Sequence, residues 1–422
     1  MSFETISVVG LGYIGLPTAA MFASRKKKVI GVDVNQHAVD TISRGEIHIV
    51  EPDLDMIVHA AVTEGYLKAV TTPEPADAFL IAVPTPFKEC VEGEVPEPDL
   101  RFIEAASKAI APVLKKGDLV ILESTSPVGA TEQMAKWLAE ARSDLTFPQM
   151  AGEHADVNVA HCPERVLPGH VVRELVENDR VIGGMSTRCS ERSVELYKTF
   201  VLGDCVITNA RTAEMAKLTE NSCRDVQIAF ANELSIICDK LDINVWELIS
   251  LANRHPRINI LQPGPGVGGH CIAVDPWFIV SKTPEEAQII HTARKINDAK
   301  PEWVINKVKL AVADFLQANP TKTVSDITIA CYGLAFKPDI DDLRESPAMV
   351  ITQKISEFHS GRVIAIEPNI EKTPSDLKRV ELVEFNLAFQ EADIHLMLVD
   401  HKEFKRSDVN TEFVVDTKGL WT

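Results

Sequence analysis

Short apolar runs rich in β-branched residues recur through the first half of the chain, with helix-periodic segments between several of them. These runs predict strands over Thr5–Val9, Lys28–Val32, Ala78–Val83, Leu119–Glu123, Asn158–Cys162 and Arg180–Gly183. The periodic segments predict helices, among them Leu16–Arg25, Leu100–Leu114 and Ala130–Glu140. Such alternation predicts βαβ units and a parallel sheet with helices on both faces.

The pattern changes near Thr212. From there to Leu241 the chain has no Gly or Pro and carries an apolar stripe at helical spacing, which predicts one long helix. More helix is predicted over Val245–Asn253 and Glu285–Leu316, and the polar stretch Ala318–Ser325 is a candidate linker. Strands are predicted again at Ile327–Tyr332, Arg362–Glu367, Ile394–Val399 and Phe413–Asp416.

The predicted fold class is therefore α/β, with two Rossmann-like doubly wound domains joined by a central helical region that contains one long helix. We place the boundaries at residues 1–205, 206–318 and 319–422. A length of 422 residues suits two or three domains.

Composition and charge exclude several classes of partner. With 43 basic and 61 acidic residues the net charge is −18, so the chain should repel nucleic acid and anionic membranes. The apolar stretch Ile6–Ala23 resembles a membrane anchor, but its three glycines and Pro17 argue against insertion. Eight scattered cysteines without a C-x-x-C pair indicate reduced thiols and a cytoplasmic location.

A glycine motif follows the first predicted strand. Gly10, Gly12 and Gly15 form G-x-G-x-x-G where a strand passes into a helix, which is the arrangement that binds a dinucleotide pyrophosphate. The second predicted strand ends at Asp33, about 20 residues further on, where a carboxylate can bind the ribose hydroxyls. Asp33 would repel a 2′-phosphate, so NAD is favoured over NADP. The alternative is a glycine turn with no ligand.

A second glycine-rich segment ends in a cysteine. Residues 263–271 read P-G-P-G-V-G-G-H-C, and Asp275-Pro276 after them is typical of a helix N-cap followed by the first helical position. A thiol near a helix N-terminus is a plausible nucleophile, because its pKa is lowered there. The alternative is a buried structural cysteine beside a tight turn.

The long helix places Lys217, Asn221 and Arg224 on one polar face, which by itself could be only a solvated surface. Beside a redox cofactor and a thiol, these side chains suggest a chemical sequence. An alcohol is oxidised to an aldehyde, the thiolate traps the aldehyde as a thiohemiacetal, a second oxidation gives a thioester, and water releases an acid.

These motifs resemble the UDP-glucose/GDP-mannose 6-dehydrogenase family, whose members use NAD to oxidise a nucleotide sugar twice to a uronic acid. The resemblance covers essentially the whole chain. It also rests on V-P-T-P at residues 83–86, E-S-T-S-P-V-G at 123–129, Pro163-Glu164, F-K-P at 336–338 and R-E-S at 344–346. It implies that residues 1–205 bind NAD, that the central region joins two subunits, and that residues 319–422 bind the UDP-sugar.

The resemblance also implies a role for each matching residue. Catalysis falls to the nucleophile Cys271, the oxyanion-stabilising Lys217 and Asn221, the general bases Asp275 and Glu164, and Thr125, which helps to hold the water. The implied cofactor contacts are Gly10, Gly12, Tyr13, Ile14, Gly15, Asp33, Thr85, Thr131 and Arg344. The implied substrate contacts are Arg165, Val166, Lys217, Asn221, Arg224, His255, Arg257, Gly268, Phe336 and Lys337. Of these, His255 and Arg257 are implied to reach across a dimer interface.

Departures from the family pattern concern the sugar. UDP-glucose members typically read N-P-E-F and G-G-S-C-F-x-K-D, whereas this chain reads C-P-E-R at 162–165 and G-G-H-C-I-A-V-D-P at 268–276. The latter resembles the branch that acts on UDP-N-acetylhexosamines, and most closely the bacterial enzymes that use UDP-N-acetyl-D-mannosamine for surface polysaccharides such as enterobacterial common antigen. UDP-N-acetylglucosamine and UDP-glucose stay open as alternatives, because pocket shape decides stereochemistry at C2. The acidic segment Glu89–Glu97 receives no functional interpretation.

Other classes of function make different predictions. A two-electron dehydrogenase that releases an aldehyde needs no cysteine, and a binding protein that has lost its chemistry should have replaced Cys271 or Lys217, yet both are present. We expect no metal, since no two of the 12 histidines lie three or four residues apart.

Overall fold

The apolar runs and the periodic segments form sheets and helices in the computed structural model, which describes residues 3–49, 51–89, 91, 93–166, 169–269, 271–405 and 412–421. The chain divides into an N-terminal unit, Met1–Glu220, and a C-terminal unit, Asn221–Thr422. Among the described residues, no helix is both long enough and apolar enough to cross a bilayer.

The N-terminal unit contains one mainly parallel sheet. Its strands are β1 (Thr5–Val9), β2 (Lys28–Val32), β3 (Leu67–Val70), β4 (Ala78–Ile81), β5 (Leu119–Leu122), β6 (Asn158–His161), β7 (Arg180–Gly184) and β8 (Cys205–Asn209). They are arranged β3-β2-β1-β4-β5-β6-β7-β8. The strand order reverses between β1 and β4, and ligands of doubly wound sheets bind at the carboxyl ends of the strands at such a point.

Amphipathic helices cover both faces of this sheet, so its central strands are buried on both sides. The helices are α1 (Gly15–Ser24), α2 (Gln36–Ser43), α3 (Leu54–Thr63), α4 (Arg101–Ile110), α5 (Ala130–Ala141), α6 (Pro148–Ala151), α7 (Val171–Glu177) and α8 (Thr187–Tyr197). The long helix α9 (Ala210–Leu241) follows and carries the chain from the N-terminal unit into the C-terminal unit.

The C-terminal unit combines helices with a smaller parallel sheet. Its helices are α10 (Val245–Ala252), α11 (Asp275–Lys282), α12 (Gln288–Ala318), α13 (Pro347–Phe358) and α14 (Phe385–Glu391). Its strands are β9 (Thr328–Tyr332), β10 (Arg362–Ile366), β11 (Val380–Leu382), β12 (Ile394–Met397) and β13 (Val414–Asp416), in the order β11-β10-β9-β12-β13. The order reverses at β9, as it does at β1.

The predicted fold class is confirmed, including the long helix. One expectation is wrong: β6 and β7 pair antiparallel, so the first sheet is not wholly parallel. A buried strand reads as an apolar run whichever way it points, so the pattern cannot give its direction. The pattern also does not predict β3, β8 and β11, which are edge strands and need less apolar sequence.

Candidate active site

The glycine motif forms the turn between β1 and α1. Gly10 has φ +93°, and a Cβ there would lie 2.6 Å from the carbonyl oxygen of Ala82. At Gly15 a Cβ would lie 1.7 Å from the carbonyl oxygen of Gly10, so helix and strand meet too closely for a side chain. A Cβ at Gly12 would instead meet no atom of the described residues within 4 Å, which leaves open space where a ligand can approach the backbone.

Two polar groups near this turn fit a dinucleotide. Asp33 follows β2, and its Oδ2 accepts a hydrogen bond of 2.8 Å from the Leu11 amide. The Thr85 hydroxyl is buried and has no hydrogen-bond partner among the described residues. Because burying an unpartnered hydroxyl is costly, Thr85 fits a site that a ligand completes. Tyr13 and Ile14 lie in the same turn, Tyr13 exposed and Ile14 half-buried, and α1 has no side-chain cap.

Thr131 has a different environment from the other implied cofactor contacts. It is fully buried, and its hydroxyl donates to Glu214 Oε1 over 2.6 Å. The amides of Thr131 and Gly129 also donate to the Glu214 carboxylate, over 2.8 Å and 2.7 Å. The N-terminus of α5 is therefore already occupied by a carboxylate of the chain, and the cofactor role of Thr131 stays a prediction.

Glu164 belongs to a buried cluster of charged groups. It follows β6, and its Oε2 lies 2.7 Å from Nη1 of Arg180, the first residue of β7. Arg180 Nη1 also lies 4.0 Å from Oε1 of Glu123, which follows β5 and accepts a hydrogen bond of 2.5 Å from the Tyr197 hydroxyl. Burial raises the pKa of Glu123 to about 7; Arg180 opposes this shift and Glu164 adds to it. Thr125, the implied water-holding residue, is half-buried two residues after Glu123.

Sequence reasoning missed Arg180, Glu123 and Tyr197. A signal existed, because Arg180 begins an apolar strand, and a charge in a buried strand needs a buried partner.

Three of the four charged residues that α9 contributes to the N-terminal unit concern the candidate site. Glu214 binds the start of α5, and Glu220 pairs with Arg165, with 2.7 Å between Oε1 and Nη2. Lys217 lies between them in sequence and is half-buried. Arg165, an implied substrate contact, is therefore held by a carboxylate of α9. Val166 next to it is half-buried against the core.

In the C-terminal unit, the structure brings together two of the implied catalytic residues. Asn221 Nδ2 donates a hydrogen bond of 2.5 Å to Asp275 Oδ2, and Asp275 is buried. Cys271 is exposed, and its carbonyl oxygen accepts from the amide of Asp275 over 2.8 Å. The backbone thus connects the thiol-bearing residue to the buried carboxylate through one tight turn.

The predicted N-cap of α11, Asp275, is one residue too late. Helix α11 begins at Asp275 with Val274 as its N-cap, and Pro276 is the second helical residue. Because the Cys271 carbonyl already accepts from the Asp275 amide, Asp275 lies inside the first turn. Its carboxylate accepts a hydrogen bond from Asn221.

The glycine-rich segment packs against a second implied substrate segment. A Cβ at Gly268 would lie 2.8 Å from Cβ of Phe336 and 2.4 Å from the carbonyl oxygen of Glu345. The backbone of residues 268–269 therefore lies directly against Phe336. Lys337 is half-buried, and Arg344 forms an ion pair of 2.6 Å with Asp342.

Arg224, His255 and Arg257 are exposed, and no contact of theirs to another implied site residue is seen beyond the His255–Arg257 turn in the described part of the chain. His270 lies outside the described residues. The catalytic and binding roles of the implied residues stay predictions.

Family models match most of the chain. The NAD binding domain of the UDP-glucose/GDP-mannose dehydrogenase family matches residues 4–201, its central domain matches 211–299, and its UDP binding domain matches 330–422.

Relatives match the chain from end to end. It is 68% identical to the UDP-N-acetyl-D-mannosamine dehydrogenase of Yersinia pestis, over 100% of both chains. It is 62% identical to the NDP-N-acetyl-D-galactosaminuronic acid dehydrogenase of Ralstonia solanacearum, over 100% of this chain and 97% of the other. The structure of the UDP-N-acetyl-mannosamine dehydrogenase Cap5O from S. aureus aligns with a TM-score of 0.85 and 41% identity, over 99% of this chain and 95% of that one.

Proposed function

Because the chain belongs to the UDP-glucose/GDP-mannose dehydrogenase family and uses NAD, we propose that it oxidises the C6 alcohol of UDP-N-acetyl-D-mannosamine to a uronic acid. The names of the full-length relatives support this sugar. The observation that carries the chemistry is the Asn221–Asp275 hydrogen bond at the turn that follows Cys271. It places an amide donor and a buried carboxylate next to a thiol-bearing turn, which is the set of groups that acyl chemistry on sulfur needs.

The glycine turn, Asp33 and Thr85 are proposed to hold NAD. NAD, when bound, accepts a hydride from the substrate carbon. The open space at Gly12, the ribose-binding position of Asp33 and the unpartnered hydroxyl of Thr85 support this assignment.

Cys271 is proposed to hold the substrate carbon between two oxidations. Its sulfur bonds to the aldehyde carbon, and the carbonyl oxygen takes a proton to give a thiohemiacetal. Loss of a second hydride and of that proton gives a thioester. While sulfur bonds to the carbon, and before the proton arrives, the former carbonyl oxygen is an oxyanion. Lys217 and Asn221 stabilise it by donating hydrogen bonds to it.

Water then releases the acid. Asp275 or Glu164 takes a proton from the water as its oxygen bonds to the acyl carbon, the carbon–sulfur bond breaks, and the sulfur leaves as a thiolate. The overall reaction uses one water and two NAD for each sugar, so four electrons leave C6.

Individual cations are proposed to bind the diphosphate of the substrate, since the chain as a whole carries −18. Arg165 and Lys337 are the proposed contacts, with Phe336 directly before Lys337 and Gly268 packed against Phe336. Arg224, His255, Arg257 and Val166 complete the proposed contacts.

An NADH assay with four sugars tests the assignment. Initial rates are measured with the UDP derivatives of N-acetylmannosamine, N-acetylglucosamine, N-acetylgalactosamine and glucose. We expect the highest kcat/KM with UDP-N-acetylmannosamine. A higher value with UDP-N-acetylgalactosamine would favour the second candidate, to which the Ralstonia relative's name points. Preference for either of the remaining sugars would also overturn the assignment.

Further proposals concern the setting of the reaction. We propose a homodimer through the central region, cytoplasmic location, and a role in surface-polysaccharide synthesis of the enterobacterial common antigen type. Exposed apolar residues on α9, including Phe230 and Ile237, support the dimer. The need for a reduced thiol at Cys271 supports the location. The domain boundaries at 205/206 and 318/319 also stay proposals.

A further inference from the structure

The sheet of the C-terminal unit repeats the glycine turn of the first sheet. Gly333 follows β9 with φ +91°, and its amide donates to the Ile366 carbonyl over 2.8 Å. Gly10 follows β1 with φ +93°, and its amide donates to the Val32 carbonyl over the same distance. The strand beside β9, β10, ends at Ile366, and Glu367 directly follows it, as Asp33 directly follows β2.

Glu367 makes more hydrogen bonds than Asp33 does. Its Oε2 accepts from the amides of Leu334 and Ala335, over 2.8 Å and 3.0 Å, and from His401 Nε2 over 2.9 Å. Burial raises the pKa of this carboxyl, but the His401 and amide hydrogen bonds outweigh it and keep the pKa below its ordinary value. The carboxylate is thus an internal anion that fills the turn and fixes Leu334 and Ala335.

His401 connects Glu367 to the other end of the same loop. The ring is fully buried, and its Nδ1 accepts from the Asp339 amide over 2.9 Å. A backbone N–H can only donate, so Nδ1 carries a lone pair and Nε2 carries the hydrogen that it donates to Glu367. Asp339 is in the left-handed region, with φ +61°, and its Oδ1 accepts from the Lys402 amide over 3.0 Å.

We propose that Glu367 and His401 act as a loop clamp that positions Phe336 and Lys337 for binding the UDP part of the substrate. Both ends of the loop, at Leu334 and at Asp339, are tied to this one buried pair. Phe336 and Lys337 lie between the two tied ends. The proposal rests on the proposed function, which makes these two residues substrate contacts, and Glu367 and His401 are positioning residues in it.

A metal ion is the competing interpretation of this cluster. Ligand atoms of Asp339, His401 and Glu403 lie within 4.8 Å of one another. However, both ring nitrogens of His401 already have partners, the Asp339 amide and the Glu367 carboxylate. A metal bound at either nitrogen would displace one of these bonds, so the clamp accounts better for the geometry.

Substitutions of His401 test the clamp, by their effects on the KM for the UDP-sugar and on the KM for NAD. His401→Ala removes the bond from the Asp339 amide and the bond to Glu367, which frees one end of the loop. We expect the KM for the UDP-sugar to rise about tenfold, the loss of roughly one buried hydrogen bond to a charged group. The KM for NAD should change by less than about twofold. His401→Asn keeps an acceptor near the position of Nδ1 and should restore part of the affinity.

His359→Ala is the matched control, because His359 is also a buried histidine of this unit and bonds a backbone carbonyl, that of Ile327, over 2.9 Å. It should lower the unfolding temperature without changing the KM for the sugar. The clamp is contradicted if folded His401→Ala keeps the wild-type sugar KM, if its NAD KM rises equally, or if His359→Ala gives the same change.

Calorimetric titration with UDP separates this proposal from the proposed function. If the wild type binds UDP but oxidises none of the four sugars, the proposed reaction fails. The clamp then stands if His401→Ala weakens UDP binding about tenfold, and falls if the UDP dissociation constant is unchanged.

Discussion

At the residue scale, two buried carboxylates share one guanidinium. Arg180 lies 2.7 Å from Glu164 and 4.0 Å from Glu123, so the three groups carry a net negative charge when both acids are ionised. A buried net charge is costly, which is why the cluster takes up a proton near neutral pH. Glu123 holds that proton, since burial raises its pKa to about 7. Arg180 Nη1 then lies nearest to Glu164, 2.7 Å from its Oε2.

Glu123→Gln should change how stability depends on pH. A carboxyl whose pKa is raised by folding stabilises the protein below its ordinary pKa, and this contribution is lost as the pH rises through about 7. Glutamine is neutral at every pH in this range. We therefore expect the free energy of unfolding of the variant, relative to that of the wild type, to rise by up to about 3 kcal/mol between about pH 5 and about pH 8. Urea unfolding across this range measures it. Glu140→Gln, at an exposed position of α5, should show no such trend, and a flat difference for Glu123→Gln would refute the assignment.

At the element scale, two glutamates join α5 and α9, one through buried hydrogen bonds and the other through an ion pair at the surface. Glu214 of α9 is buried and accepts three hydrogen bonds from Gly129 and Thr131. Glu132 of α5 pairs with Arg211 of α9 at the surface, over 2.7 Å. Lys217 lies one turn after Glu214 on α9, so Glu214 fixes the part of the helix that carries Lys217.

Glu214→Ala should destabilise the protein far more than Glu132→Ala. The first leaves three donors without their acceptor, two of them buried, and should cost about 2–4 kcal/mol in the free energy of unfolding. The second removes an exposed pair and should cost less than about 1 kcal/mol. Urea unfolding of both variants compares them. Equal losses would show that the buried bonds do not hold α9 in place.

Some elements follow from the sequence and others do not. The helix α9 and the central strands are predictable, because long periodicity and continuous apolar runs are local signals. The antiparallel pairing of β6 with β7 depends on tertiary packing. Edge strands such as β11, which contains Glu381, can carry charged residues because solvent reaches them.

At the scale of the whole molecule, the central region presents apolar residues that a single chain leaves exposed. Phe230 is 51% exposed and Ile237 44%, and they are seven residues apart on α9, on the same face. Such residues favour contact with another apolar surface. A second copy of the chain is the proposed partner.

Placing Asp at both Phe230 and Ile237 should produce a monomer, because charges would then be buried against the partner. Light scattering after size exclusion measures the mass, and the mass of the wild type should be about twice the 46.5 kDa of one chain. Met56→Asp, at an exposed apolar position of α3, should leave the mass unchanged. A monomeric wild type would contradict the proposed dimer.

The family and the use of NAD could be predicted because their signals are contiguous. The glycine turn and the Cys271 segment are each motifs of neighbouring residues. The Arg180–Glu164 pair and the Glu367–His401 clamp could not be predicted, since their members lie on separate strands and loops that only folding brings together.

Cys271 is proposed to carry the substrate carbon between two oxidations, and this proposal can be tested by trapping the adduct. Glu164→Gln should slow hydrolysis of the thioester. Acid quenching during turnover with NAD and UDP-N-acetylmannosamine, followed by peptide mass spectrometry, should find the uronyl group on the peptide that contains Cys271. Cys271→Ala should give neither the adduct nor NADH. Continued formation of two NADH per sugar by Cys271→Ala would contradict the account.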